Sequence, residues 1–130
     1  AAAYVAIANG GKLFQPQLVK EIIDGEKSNP KIIRGNFIKP ENLQVAREGM
    51  RQAVTVGGSA ILNDLPVKAA AKTGTAETSK INTYHNWVTV FAPYDDPKIV
   101  LTVMLEDVKG VQAAALPVAQ AVLNWYFSQK

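Results

Sequence analysis

The chain contains no cysteine and a single histidine, His85. Disulfide staples and a thiol nucleophile are excluded, and so are zinc sites built from Cys–His sets, so neither a metal nor any other cofactor is expected. Lack of cysteine suits every compartment and locates nothing. No apolar run approaches the roughly 18 residues that cross a bilayer as a helix. The opening AAAYVAIANGG lacks the basic residues of a secretory leader and has no initiating Met. It reads as a helix entered partway, which predicts a piece of a longer chain. Lys and Arg number 14 against 11 Asp and Glu, a net charge of +3. These cations are scattered, with no stripe of the kind a nucleic-acid surface uses, so no nucleic-acid partner is expected.

What is present is a globular composition. A chain of 130 residues, 48% of them hydrophobic, is long enough to bury the core of one domain and too apolar to be disordered. Tyr4, Ile7 and Ala8 have helical spacing, and Gly10-Gly11 ends that helix. KLFQPQLVKEIID and KIIRGNFI read as short extended pieces, with a polar turn from Asp24-Gly25 through EKSNP between them. Pro40-Glu41 opens a second helix, whose stripe Leu43, Ala46, Met50 and Val54 faces a core until Gly57-Gly58. SAILND predicts a short helical turn. VKAAAKTGTAE, HNWVTVFAPY and KIVLTVMLE then read as strands, the last buried on both faces. Asp95-Asp96-Pro97 is a tight turn, so the strands it joins pair antiparallel. DVKGVQ is a loop. A final helix begins near Pro117, with Val118, Val122 and Trp125 on one face. The pattern predicts an α+β fold, an antiparallel sheet flanked by helices.

The chemistry concentrates at Lys72-Thr73-Gly74-Thr75-Ala76-Glu77. In a strand, Thr73 and Thr75 share one face while Lys72 and Gly74 share the other. Two hydroxyls on one face can hold a carboxylate, and a lysine stem can swing its charge into the same cleft. Gly74 leaves room for another element behind the strand, or for backbone to approach a ligand. A backbone N–H such as that of Thr75 can stabilise a developing oxyanion, a contribution of about 3 kcal/mol in enzymes that use one. An exposed edge could also accept an extended peptide as an added strand. The implied chemistry is acyl transfer on a peptide-like substrate with a free carboxylate. A lone Lys-Thr-Gly would mark no more than a turn or strand end; its surroundings carry the argument.

Those surroundings resemble the C-terminal half of the transpeptidase domain of class B penicillin-binding proteins. Lys-Thr-Gly is a motif of that active-serine superfamily, together with Ser-x-x-Lys and Ser-x-Asn. AAAYVAIANGGKLFQPQLVKEI is similar to the family's Ala-rich helix, Asn-Gly-Gly turn and Pro-containing strand. EGMRQAVTVGGSA resembles the helix and Gly-rich turn before the motif. NWVTVFAPYDDPKIVLTVMLE resembles the hairpin after it, and AAALPVAQAVLNWYF the closing helix. The match runs in order along essentially the whole chain. It implies that residues 1–130 are the C-terminal portion of one transpeptidase domain. It also implies a serine-type D,D-transpeptidase that cross-links peptidoglycan on the outer face of the bacterial plasma membrane, in a parent anchored by an N-terminal transmembrane helix, with β-lactams acylating the serine. The implied partners are the peptidoglycan stem peptide, β-lactam antibiotics, the rest of the transpeptidase domain and other cell-wall synthesis proteins. Carried onto this sequence, Lys72 would contact the Ser-x-Asn element, Thr73 and Thr75 would bind the carboxylate, the Thr75 N–H would be half of the oxyanion hole, and Gly74 would permit close packing behind the strand. Ala71 stands where many members have Gly, Ser59 where Thr is frequent, and GVQAAALP is longer than the usual Gly-Gly-Ala-Ala-Pro. These departures leave the subfamily open.

Ser28-Asn29-Pro30-Lys31 spells Ser-x-x-Lys, but the nucleophile motif needs a helical turn that brings Ser and Lys to one face. Asn29 precedes a proline and is biased away from helix, so Ser28 is not expected to be the nucleophile. No Ser-x-Asn occurs in the chain. The expectation is a piece that supplies the Lys-Thr-Gly strand and is inactive alone. Two other readings remain at this level: a serine β-lactamase or β-lactam sensor of the same superfamily, which differs in whether the acyl-enzyme is hydrolysed, and a non-catalytic cell-wall scaffold module. His85, Asp95-Asp96 and Glu106-Asp107 read as structural or solvated, while Glu77, directly after the motif, is expected to line the cleft with a modest role at most. Trp87, Phe91, Trp125, Tyr126 and Phe127 read as packing residues, and TSKINTY as a loop bordering the cleft. A separated piece is also expected to expose an apolar patch.

Overall fold

The computed structural model describes residues 1–19, 21–23, 25, 27–110 and 112–129. Its elements follow the order α1 (Ala2–Ala8), β1 (Leu13–Phe14), β2 (Ile32–Arg34), α2 (Pro40–Thr55), a 3-10 turn (Ala60–Asp64), β3 (Ala70–Glu77), β4 (Thr83–Ala92), β5 (Ile99–Lys109) and α3 (Ala115–Ser128). Helix α1 stops where the glycines predict. Gly11 has φ +97°, its N–H donates to the Ala6 carbonyl at 2.7 Å, and a Cβ there would sit 3.1 Å from Leu43 Cδ1. β1 and β2 form a small antiparallel ribbon, Leu13 opposite Arg34. Asp24 lies outside the described residues; Gly25 N–H donates to Ile22 O at 2.9 Å, and Glu21 bridges Lys27, as a hairpin tip requires. Ser28 to Lys31 is loop, not helix.

The main sheet is antiparallel in the order β3-β4-β5. On one face Ala71, Val88, Val90 and Ala92 pack with Val54, Leu62, Leu65 and the α3 residues Ala115, Leu116, Ala119 and Leu123. On the other, Ala70 and Phe91 pack with Ala8 and Met50, flanked by Tyr4, Ile7 and Tyr94. Fully burying a side chain the size of Leu62, Phe91 or Leu123 contributes about 1.5–3 kcal/mol each, so the α3 interface and the centre of β4 anchor the fold.

The structure corrects some expectations. Ala46 is exposed, and half-buried Arg47 takes the central place between Leu43 and Met50. Its guanidinium donates to Ala8 O and Tyr94 O, both at 2.6 Å, and to Ile7 O at 3.3 Å, and lies 5.0 Å from the Phe91 ring centroid and 5.2 Å from that of Tyr94. It joins the last turn of α1, where helix carbonyls lack partners, to the turn after β4. β5 is half-buried because it is an edge strand; the nearly apolar strand buried throughout its second half is central β4. β5 also runs on through Asp107, Val108 and Lys109, into the stretch read as loop. Val118, Val122 and Trp125 do share a face of α3, but the outward one, joined by Tyr126. The helix is apolar nearly all round, so periodicity alone does not choose a face. Two alanines let the Ala115/Ala119 side approach the sheet most closely. That outward face is an exposed apolar patch. Among the described residues, no helix is long and apolar enough to cross a membrane.

Candidate active site

β3 carries Lys72, Thr73, Gly74 and Thr75 along the outer edge of the sheet. Register fixes what that edge presents. Thr73 lies opposite Val88, Gly74 opposite Trp87 and Thr75 opposite Asn86, without a bulge. Thr78 N–H donates to Thr83 O at 3.2 Å, which continues the same register as a hydrogen-bonded pair. Antiparallel pairs alternate between bonded and non-bonded. Even-numbered residues of β3 therefore bond to β4, while Ala71, Thr73, Thr75 and Glu77 turn their N–H and C=O groups off the free edge. The Thr73 carbonyl agrees with this: it accepts a hydrogen bond from Lys72 Nζ at 2.5 Å. Among the described residues no strand covers that edge.

The side chains follow the same alternation. Thr73 and Thr75 stand on the face of Val88 and Asn86 and line a cavity of about 190 Å3 with Gln112, Ala113, Ala115 and Leu116 at the start of α3. Lys72 is exposed and makes no salt bridge among the described residues. Lys72 to Thr75 therefore bring together an unpaired cation, two hydroxyls in one cavity and an outward N–H. Nothing packs tightly behind Gly74: a Cβ there would meet only Trp87 Cβ, at 3.6 Å. Among the described residues the space behind Gly74 is therefore open.

Residues 78–83 and Glu77 line a different pocket, beyond the end of β3, so this loop does not border the threonine cavity. Lys80 ties the loop to β5 through a hydrogen-bonded ion pair with Asp107. That hydrogen bond holds the Asp107 carboxyl below the ordinary carboxylate range, with the charges of Lys80 and Lys109 helping. His85 Nδ1 accepts from Asp107 N–H at 3.3 Å, a structural contact. Asp95 and Asp96 are exposed and pair with Lys68 and Lys98. Of the aromatics read as packing, Phe91 is fully buried and Phe127 partly, whereas Trp87, Trp125 and Tyr126 are substantially exposed. Asn86 belongs to no sequence motif. It is 2% exposed in the middle of an apolar strand, and its Oδ1 accepts the Ala114 N–H at 3.0 Å, which sets the start of α3 beside the threonines. The signal lay in HNWVTVFA, where an amide occupies an inward position in step with Val88 and Val90.

A family model described as penicillin binding protein transpeptidase domain matches residues 1–127, and the chain belongs to that family. It is 32% identical to the peptidoglycan D,D-transpeptidase MrdA of Haemophilus influenzae, covering 100% of this chain and 23% of that protein. The structure of penicillin-binding protein A from M. tuberculosis, solved as an imipenem acyl-enzyme complex, superposes with a TM-score of 0.79 at 29% identity, covering 98% of this chain and 29% of that one. Penicillin-binding protein PBP2 from Helicobacter pylori, in its complex with MreC, superposes with a TM-score of 0.73 at 26% identity, covering 98% of this chain and 24% of that one. The chain thus spans about a quarter of the length of these relatives.

Proposed function

We propose that residues 1–130 form the C-terminal portion of a transpeptidase domain and supply the Lys-Thr-Gly strand of a serine D,D-transpeptidase that cross-links peptidoglycan stem peptides. The observation that carries this reading is the free edge of β3, where the Thr75 N–H points outward beside a cavity lined by the Thr73 and Thr75 side chains. The substrate or β-lactam carboxylate is held by the two hydroxyls. This places the scissile carbonyl along the free edge, in the manner of an added strand. A serine oxygen from the remainder of the domain attacks that carbonyl, and the Thr75 N–H donates to the oxyanion of the tetrahedral intermediate. Collapse of the intermediate expels the leaving amine, which takes up a proton, and leaves the acyl-enzyme. The amine of a second stem peptide then attacks the ester, loses its proton and regenerates the serine. Lys72 supplies positive potential and reaches toward the Ser-x-Asn element. No cofactor or metal takes part in this scheme.

The strand works on the outer face of the bacterial plasma membrane, where peptidoglycan is built, in a membrane-anchored parent associated with other cell-wall synthesis proteins. A complex with MreC in the H. pylori relative supports such an association. Lys72→Ala in the full-length protein tests the assignment. Lys72 is exposed and holds no core, so the fold should survive. Acylation by benzylpenicillin should fall roughly 100-fold, the scale of losing one electrostatic stabiliser of a developing charge. Unchanged acylation would remove Lys72 from the site.

A further inference from the structure

The free edge of β3 runs on past Thr75. Glu77 is the next residue that turns its N–H and C=O outward, and its side chain shares the face of Thr73 and Thr75. Two residues on, it stands about 7 Å beyond Thr75 along the strand. There it lines a second pocket, of about 300 Å3, with Thr78, Ser79, Lys80 and Tyr84. Among the described residues two charged side chains border this pocket, Glu77 and Lys80. Lys80 is occupied by its hydrogen-bonded ion pair with Asp107. Glu77 is exposed and makes no salt bridge among the described residues, so its carboxylate is uncompensated. The two threonine hydroxyls set the direction of a peptide bound along the edge. Its terminal carboxylate lies toward Thr73 and its scissile carbonyl at the Thr75 N–H, so the chain upstream of that carbonyl runs antiparallel to β3, toward Glu77. Counted from the residue that carries the scissile carbonyl, the residue two places upstream then stands opposite Glu77, and its neighbour opposite Ala76.

We propose that Glu77 is a specificity-determining residue for the part of the substrate upstream of the scissile bond, where it favours an amine and disfavours a carboxylate. This inference rests on the reading of β3 as the transpeptidase strand. The two ends of the edge then carry opposite electrostatic demands. The threonine cavity and Lys72 take the anionic end of the peptide, and Glu77 rejects a second anion on the other side of the scissile carbonyl. A peptide laid on the edge in the reverse direction would bring its carboxylate to Glu77, so the same residue also enforces the productive orientation. The charge acts through a flexible, solvated side chain, so its effect is modest and weakens with salt.

The test uses the full-length protein and three penicillins that differ in one substituent on the carbon next to the side-chain carbonyl: an amine in ampicillin, a carboxylate in carbenicillin and hydrogen in benzylpenicillin. The acylamino side chain of a penicillin continues upstream of the β-lactam carbonyl, so this substituent falls between Thr75 and Glu77. Acylation rates are taken relative to benzylpenicillin with the same variant, in mildly acidic buffer that keeps the amine protonated. Glu77→Gln should lower the ampicillin-to-carbenicillin ratio at least roughly threefold, the scale of one exposed charge pair gained and one repulsion lost. Glu77→Lys should lower it further, and added salt should shrink the difference between the variants. A ratio that neither variant moves would overturn the inference, including the case in which all three penicillins slow equally. Benzylpenicillin separates the two levels. If it does not acylate the parent protein, the reading of β3 as the transpeptidase strand fails and the inference fails with it. If it does and the ratio stays fixed, the inference alone fails.

Discussion

Gly74 and Trp87 face each other across the β3–β4 ladder, and a Cβ added to Gly74 would come 3.6 Å from Trp87 Cβ. That is ordinary contact, so the strand has room for an alanine. Gly74→Ala is expected to change stability by less than about 0.5 kcal/mol. The same methyl group would stand on the strand that a bound peptide approaches, so acylation of the full-length protein by benzylpenicillin should slow. Thermal melts and acylation rates together check this. A loss of stability above about 1 kcal/mol would mean that the glycine serves packing within the fold instead.

Arg47 is expected to be the most costly polar residue of α2. It bonds to carbonyls of Ile7, Ala8 and Tyr94 and rests against the rings of Phe91 and Tyr94. Arg47→Met keeps much of the apolar stem but strands those carbonyls, which should cost roughly 2–4 kcal/mol in urea denaturation. Arg47→Lys should recover only part of the loss, since an ammonium cannot span three carbonyls with a planar fork. A loss within experimental error would contradict the role given to Arg47 as the joint between α1, α2 and β4.

The Lys80–Asp107 pair predicts a pH signature. Its hydrogen bond from Lys80 lowers the Asp107 pKa in the folded chain. A lowered folded pKa contributes stability that is present above the ordinary carboxylate value and lost as pH falls through the lowered one. Lys80→Met should therefore raise the Asp107 pKa toward the ordinary value, read by NMR titration. Its stability deficit against the parent sequence should shrink in acid. Both groups are solvent-exposed, so the deficit is small and salt-sensitive. A deficit that grew on acidification would contradict the assignment.

The parts of this fold legible in the sequence were those fixed by local chemistry. Gly10-Gly11 stopped α1, Pro40 opened α2, Asp95-Asp96-Pro97 turned the β4–β5 hairpin, and period-2 alternation placed Thr73 and Thr75 together. What local pattern leaves undecided is the choice between equivalent faces and strands. α3 is apolar on two sides, and tertiary packing buried the side with the small residues. KIVLTVMLE and HNWVTVFA are both apolar, and strand order made only the second central. Arg47 and Asn86 escaped because each is a polar residue set among apolar ones, and its value lies in carbonyls or N–H groups brought in by distant segments: Ala8 and Tyr94 for one, Ala114 for the other.

The most direct test of the central claim is the intact mass of the native gene product with and without benzylpenicillin. The account predicts a chain much longer than these 130 residues that gains the mass of one penicilloyl group, with peptide mapping placing the adduct on a serine outside them. A native product that gains no mass, or an adduct that maps to Ser28, would contradict it.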